Sequence, residues 1–288
     1  MRFGTGDFVY ELVDDWGRLP EDWAFSQVAG VAVDSQDRVY AYHRGMRPVI
    51  VFSREGKVLS SWGDGLLAEA HGLYIDRHDN LFMVDRGAHT IEKCTPEGKV
   101  LLTLGEKYQS APKHSNLPFN KPQGVATAPN GDIYVADGRR YNFSVHRYSA
   151  DGQHLKSWGK QGAGPGEFAE PHSIWVLPDG TVMVGDRGND RIQYFTPDGE
   201  FMREWTGLAH PDHFYVSPDG TVFVAEIRTH SVNIYSPDGK KLSGWGGQAS
   251  KEPGQFFAPH GVWVDSHGDL YVSEVMQGRR LQKFARVA

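Results

Sequence analysis

A single cysteine, Cys94, stands among 288 residues. One thiol makes no internal disulfide, which fits a reducing compartment, and its setting at a strand end reads as a small buried residue. No apolar run approaches bilayer-spanning length, and the opening MRFGTGDFVYELVDDWG carries no signal-type apolar stretch. The expectation is a cytoplasmic protein that makes no use of a membrane. A basic cluster is lacking too. With 30 Lys and Arg against 36 Asp and Glu, the net charge is −6 and the cations are scattered. That excludes the electrostatic footprint of a phosphate-backbone binder, so nucleic acid is not expected as a partner.

What the chain has in plenty is turn chemistry, with 34 Gly and 16 Pro. From Ala169 to Trp205 four runs of about five residues alternate polar and apolar side chains, as half-buried strands do. Pro178-Asp179-Gly180 and Pro197-Asp198-Gly199 separate them, with proline presetting φ and glycine accepting positive φ. The unit is a four-stranded antiparallel meander, apolar on both faces, which needs neighbours of its own kind. They are present: VAGVAVDSQDRVYAYHRG, AHGLYIDRHDNLFMVDRG, PQGVATAPNGDIYVADG, PDHFYVSPDGTVFVAEI and PHGVWVDSHGDLYVSEV repeat the phrase, making six copies. The chain ends after a third strand, LQKF at Leu281, while FVYELVDDWG at Phe8 supplies a fourth. The spacing predicts an all-β, six-bladed β-propeller over residues 1–288 as one domain, its ring closed between the N-terminal strand and the last blade.

Minimal turns such as DSQD and SPDG fall on one face of such a disc. Long connections such as GEKYQSAPKHSNLPFNKP and KQGAGPGEFAEP fall on the other, which is therefore the candidate binding face. Stacking the repeats on their first strands gives a column of Ala29, His71, Gln123, His172, Asp212 and His260. Histidine occupies alternate blades, and in a propeller first strands line the central channel, so blades two, four and six stand about 120° apart. Three imidazoles so placed converge as in a catalytic zinc site with its fourth position open. Imidazole suits iron, copper and nickel as well. Around this column, on the long-loop side, Arg44, Arg86, Arg187 and Tyr141 follow second strands. Arg44 and Arg187 are candidate carboxylate clamps, the alternative for Arg187 being an ion pair with Asp186 or Asp190; Arg86 ranks last among them. Asp212 faces the channel as a base, a water-orienting group or a polar cap. The phrase His210-Pro211-Asp212-His213 reads as surface loop. The tryptophans Trp16, Trp62, Trp158, Trp205 and Trp245, at fourth-strand ends, read as packing between blades. Asp85, Asp137, Asp186, Glu226 and Glu274 close second strands and are expected to bind backbone amides.

The phrase GDRGNDRIQYFTPDGEFMREW resembles an NHL repeat. Together with AHGLYID, FNKPQGVA, VADG, EFAEPHSIWVLP and APHGVWV in order, the chain from His43-Arg44-Gly45 to Phe284 is similar to the peptidyl-α-hydroxyglycine α-amidating lyase family. The resemblance implies zinc on His71, His172 and His260, a catalytic tyrosine at Tyr141, one residue displaced from the family's place after the VADG phrase, and active-site arginines at Arg44 and Arg187. It also implies a structural calcium, but the acidic ligand after the third zinc histidine is Gly261 here, which sets calcium well behind zinc. Disulfides of the secreted members have no counterpart. The activity implied is cleavage of a carbinolamide to an amide and glyoxylate. The expectation is a zinc-dependent carbon-nitrogen or carbon-oxygen lyase, or hydratase, acting on a small hydroxylated, carboxylate-bearing substrate. Two alternatives stand beside it: a non-catalytic NHL scaffold for protein partners, and a metal-dependent hydrolase of the lactonase kind. Substrate, metal, direction of reaction and oligomeric state are left open by the sequence.

Overall fold

A computed structural model describes every residue except Arg140 and Ala288. It is a six-bladed β-propeller, each blade an antiparallel meander in chain order. The first strands of blades one to six are Val28–Val33, Ala70–Ile75, Pro122–Thr127, Pro171–Val176, Pro211–Val216 and Pro259–Val264. The second strands are Val39–His43, Leu81–Asp85, Ile133–Asp137, Val182–Asp186, Val222–Glu226 and Leu270–Glu274. Two compact units divide the chain: Met1–Asp64 with Asp212–Ala288, carrying blades one, five and six, and Gly65–Pro211, carrying blades two, three and four.

In the first unit the ends of the chain meet. Phe8–Leu12 pairs antiparallel with Leu281–Arg286 in the register Tyr10↔Arg286, Glu11↔Ala285 and Leu12↔Phe284, as the missing fourth strand requires. Beyond it Arg2–Thr5 adds a fifth strand that the repeat pattern does not contain. Its Phe3 packs on Trp245 and Phe284, and Thr5 N donates to Ser243 Oγ at 2.8 Å, which fastens blade six to blade five. Trp16 lies 5.3 Å from Phe52 and 5.2 Å from Tyr271, between blades one and six, as expected of inter-blade packing. In the second unit Trp158 does the same between blades three and four, 6.0 Å from Phe195. Apolar contacts of this kind, on both faces of each sheet, are the main stabilising term.

Polar residues set the loops around that core. Short first-to-second-strand turns are closed by Asp34, Asp76 and Asp265, each accepting two turn amides on its Oδ1 at 2.8–2.9 Å. At Pro178-Asp179-Gly180, Asp179 Oδ1 accepts Thr181 N, and Gly180 takes φ +89°, as the proline-aspartate-glycine phrase predicts. Four of the acids that end second strands tie down the segment leading into their own blade, whereas Glu226, expected to do the same, accepts the hydroxyls of Tyr235 at 2.8 Å and Thr229 at 3.4 Å. Asp85 accepts amides from Ala68, Glu69, Gly87 and Ala88; Asp186 from Ala169 and Glu170; Asp137 from Asn120; Glu274 from Phe257. In blade one His43 replaces the acid, with Nδ1 accepting Ser26 N and Nε2 donating to Arg47 O, and burial holds its pKa below the ordinary range. Cys94 is buried and its thiol pKa is pushed up to about 12 by desolvation, an inert thiol as the sequence suggests.

Candidate metal centre

Each column residue is the second residue of its first strand, so the strand register alone fixes which side chains share a level. Within Gly65–Pro211, His71 and His172 are both buried and their ring centroids lie 4.8 Å apart, with planes inclined at 65°. His71 Nδ1 donates to the backbone carbonyl of Gln123, the column residue of the next blade, at 2.9 Å. Within the other unit, His260 Nδ1 donates to the carbonyl of Ala29, again the column residue of the next blade, at 2.6 Å. This shared contact settles the tautomer: with the proton on Nδ1, Nε2 presents its lone pair. It is the arrangement that orients a metal-ligating imidazole and raises its basicity.

The close approach of the blades makes this contact possible. A Cβ added at Gly72 would stand 2.5 Å from Gln123 O, the atom that accepts the His71 proton, and one at Gly124 would stand 2.9 Å from His172 O. No side chain fits at either place without moving the carbonyl. His71, His172 and His260 form a buried trio of potential ligands compatible with a metal ion. The place after the third histidine offers no carboxylate: Gly261 N donates to Ser273 Oγ at 3.0 Å.

Asp212 is buried in the first strand of blade five, with Oδ2 4.0 Å from His260 Nε2. His210-Pro211-Asp212-His213 is therefore not surface loop, as its composition suggested. Pro211 opens a strand, where a missing N–H is tolerated. His213 Nδ1 accepts Val262 N, and desolvation pushes its pKa down to about 4. Because the unfolded chain binds this proton near pH 6.5 and the folded one near 4, stability is full above pH 6.5 and falls as pH drops toward 4. The loss should be on the order of 3 kcal/mol. Denaturant melts from pH 7 to 4 should show a decline that His213→Gln flattens over this window.

The arginines reveal a pairing that the sequence does not announce. Arg44, Arg86 and Arg187 each follow a second strand, and each bonds the residue seventeen positions earlier, two places before the column residue. The backbone amide donates to that residue's carbonyl at 2.9–3.0 Å in all three. Arg44 Nη1 meets Gln27 Oε1 at 2.7 Å, and Arg86 Nη2 bonds Glu69 Oε1. Arg187 takes Glu170 through Nε at 3.2 Å and Nη2 at 2.9 Å, a partner that the sequence did not single out. Tyr141 lies half-buried in the second-to-third-strand connection of blade three, with the Lys113 ammonium 4.4 Å above its ring and its carbonyl accepting His114 N at 2.7 Å.

Fold and column together define an NHL-type β-propeller carrying a histidine trio. An NHL repeat is matched at residues 119–148. The chain is 28% identical over 216 residues to human NHL repeat-containing protein 3, covering 71% of this chain and 62% of that one. It is 32% identical over 197 residues to a probable peptidyl-α-hydroxyglycine α-amidating lyase of Caenorhabditis elegans, covering 59% and 55%. The chain thus spans less than two thirds of the length of either relative. Among solved structures, a streptogramin B lyase superposes with a TM-score of 0.69 at 13% identity, over 96% of this chain and 97% of that one, which shows the propeller fold. The resemblance to NHL-repeat amidating lyases, read from the motifs, is supported by these relatives. No helix among the described residues is long and apolar enough to cross a membrane.

Proposed function

We propose that this protein is a metal-dependent lyase, with zinc on His71, His172 and His260, that splits a small carbinolamide or related α-hydroxy compound bearing a carboxylate. The observation that carries this is the shared Nδ1-to-carbonyl contact of His71 and His260, which turns Nε2 outward as a ligand and which a scaffold has no need of. The donor set fits the ion: three neutral imidazoles leave a fourth position. Zinc bound there would supply Lewis acidity, favouring loss of the substrate hydroxyl proton at neutral pH.

The chain's own residues would do the rest. Tyr141 as phenolate takes the hydroxyl proton, the electron pair of the O–H bond forms C=O, the C–N bond breaks, and the departing amide nitrogen takes the proton back from the Tyr141 phenol. An N-acyl-α-hydroxyglycine thereby yields a primary amide and glyoxylate, with atoms and charge balanced. Arg44 and Arg187, held by Gln27 and Glu170, hold the pose of the carboxylate. Asp212, 4.0 Å from His260 Nε2, orients water or substrate at the open position. Lyase-named relatives from Caenorhabditis elegans and Drosophila melanogaster support the reaction class. Elemental analysis of the purified protein should find about one zinc per chain, and N-benzoyl-α-hydroxyglycine should release glyoxylate in a chelator-sensitive, zinc-restored manner. Metal-free protein, or release indifferent to chelator, would refute the reading.

A further inference from the structure

Arg86 differs in one respect from every other arginine whose contacts are described in its unit. It is 5% exposed, yet its guanidinium has one acceptor, Glu69 Oε1 on Nη2, while Nε and Nη1 are buried without any. Arg191, 4% exposed, shows what a purely structural buried arginine looks like here. Its Nε meets Asp186, Nη1 meets Ala163 O and Glu204, and Nη2 meets Gly164 O and Glu167 O. Leaving two donors of a buried cation unmatched is strongly unfavourable, so such a group is expected to have a ligand acceptor.

Three further facts place that ligand. Arg86 is held rigidly, because Asp85 binds the amides of Ala68, Glu69, Gly87 and Ala88 on both sides of it, and Arg86 N donates to Glu69 O at 3.0 Å. Glu69 lies two residues before His71, roughly 7 Å along an extended strand, a span an arginine side chain covers. Other buried polar atoms without partners belong to residues of the neighbouring first strands: Gln123 Oε1, on the residue whose carbonyl orients His71, and Ser173 Oγ, on the residue after His172. Asp137 Oδ1, Asn142 Oδ1 and Trp158 Nε1 are the other buried side-chain atoms of this unit without partners, so the deficit runs through blade three as well.

We propose that Arg86 is the primary anchor for the carboxylate of the ligand bound at the histidines. Arg44 and Arg187 already have side-chain acceptors and serve the pose; Arg86 brings the unspent donors. The identity of the ligand rests on the lyase reading, whereas the anion site rests on the guanidinium alone. Calorimetric titration of the protein as isolated with glyoxylate, and with glycolaldehyde as its neutral counterpart, tests it. Arg86→Gln should weaken glyoxylate binding at least about tenfold, Arg86→Lys less so, with glycolaldehyde binding and metal content unchanged. Glyoxylate binding by folded Arg86→Gln equal to wild type, or no binding by metal-loaded wild type, would overturn the assignment. If Arg86→Gln does not fold, Arg86→Lys decides: unaltered glyoxylate affinity counts against the site. Metal content reads the lyase proposal separately, since Arg86-dependent glyoxylate binding in a protein free of metal would sink that proposal and keep this one.

Discussion

His172→Ala should yield a folded protein stripped of its metal and of its activity. His172 is buried and its ring lies 4.8 Å from that of His71, so alanine removes one nitrogen of three without touching the contact that orients His71. Changes to residues that only orient ligands cost about 10–100-fold in metal affinity, and removal of a ligand itself should exceed that. The strand should survive, because its backbone ladder from Pro171↔Asp186 to Val176↔Val182 does not involve the imidazole. Elemental analysis beside a circular-dichroism melt reads both halves. Full metal content in a folded His172→Ala protein would remove the site from this position.

Tyr141→Phe should separate chemistry from binding. The tyrosine sits in a connection outside the column strands, with Lys113 over its ring and its backbone oxygen engaged by His114 N. Phenylalanine preserves the ring and both contacts and deletes only the hydroxyl. If that oxygen is the base, turnover of N-benzoyl-α-hydroxyglycine falls by about 10²–10⁴ with zinc content unchanged, the usual range for a positioned proton-transfer group. Loss of zinc in Tyr141→Phe would point to a structural role instead, and undiminished turnover would strike Tyr141 from the mechanism.

Much of this was legible before any coordinates, for a physical reason. A repeat fold writes each strand several times, so the turn phrases and alternation of one blade corroborate the others, and alternate histidines stand out against that background. Strand pairing of Phe8–Leu12 with the last blade followed from counting strands. What escaped lies in contacts that leave no mark on residue identity. His71 and His260 are oriented by main-chain carbonyls 52 and 231 positions away, and any residue has a carbonyl. The seventeen-residue arginine pairings became visible only once the backbone bond from arginine N to the earlier carbonyl fixed the register. Arg86 ranked last among the arginines because sequence reveals a cation but not which of its donors go unmatched. The fifth strand Arg2–Thr5 repeats nothing, so no internal comparison could find it.

The main-chain acceptors have a consequence for remodelling the protein. Because the proton of His71 goes to the carbonyl of Gln123, and that of His260 to the carbonyl of Ala29, the side chains at 29 and 123 are released from any duty toward the rings. Exchanging them should reshape the lining beside the histidines while the imidazole tautomers stay as they are. The shape of the lining and the orientation of the rings are thereby written in different parts of the same residues, one in the side chain and the other in the peptide unit.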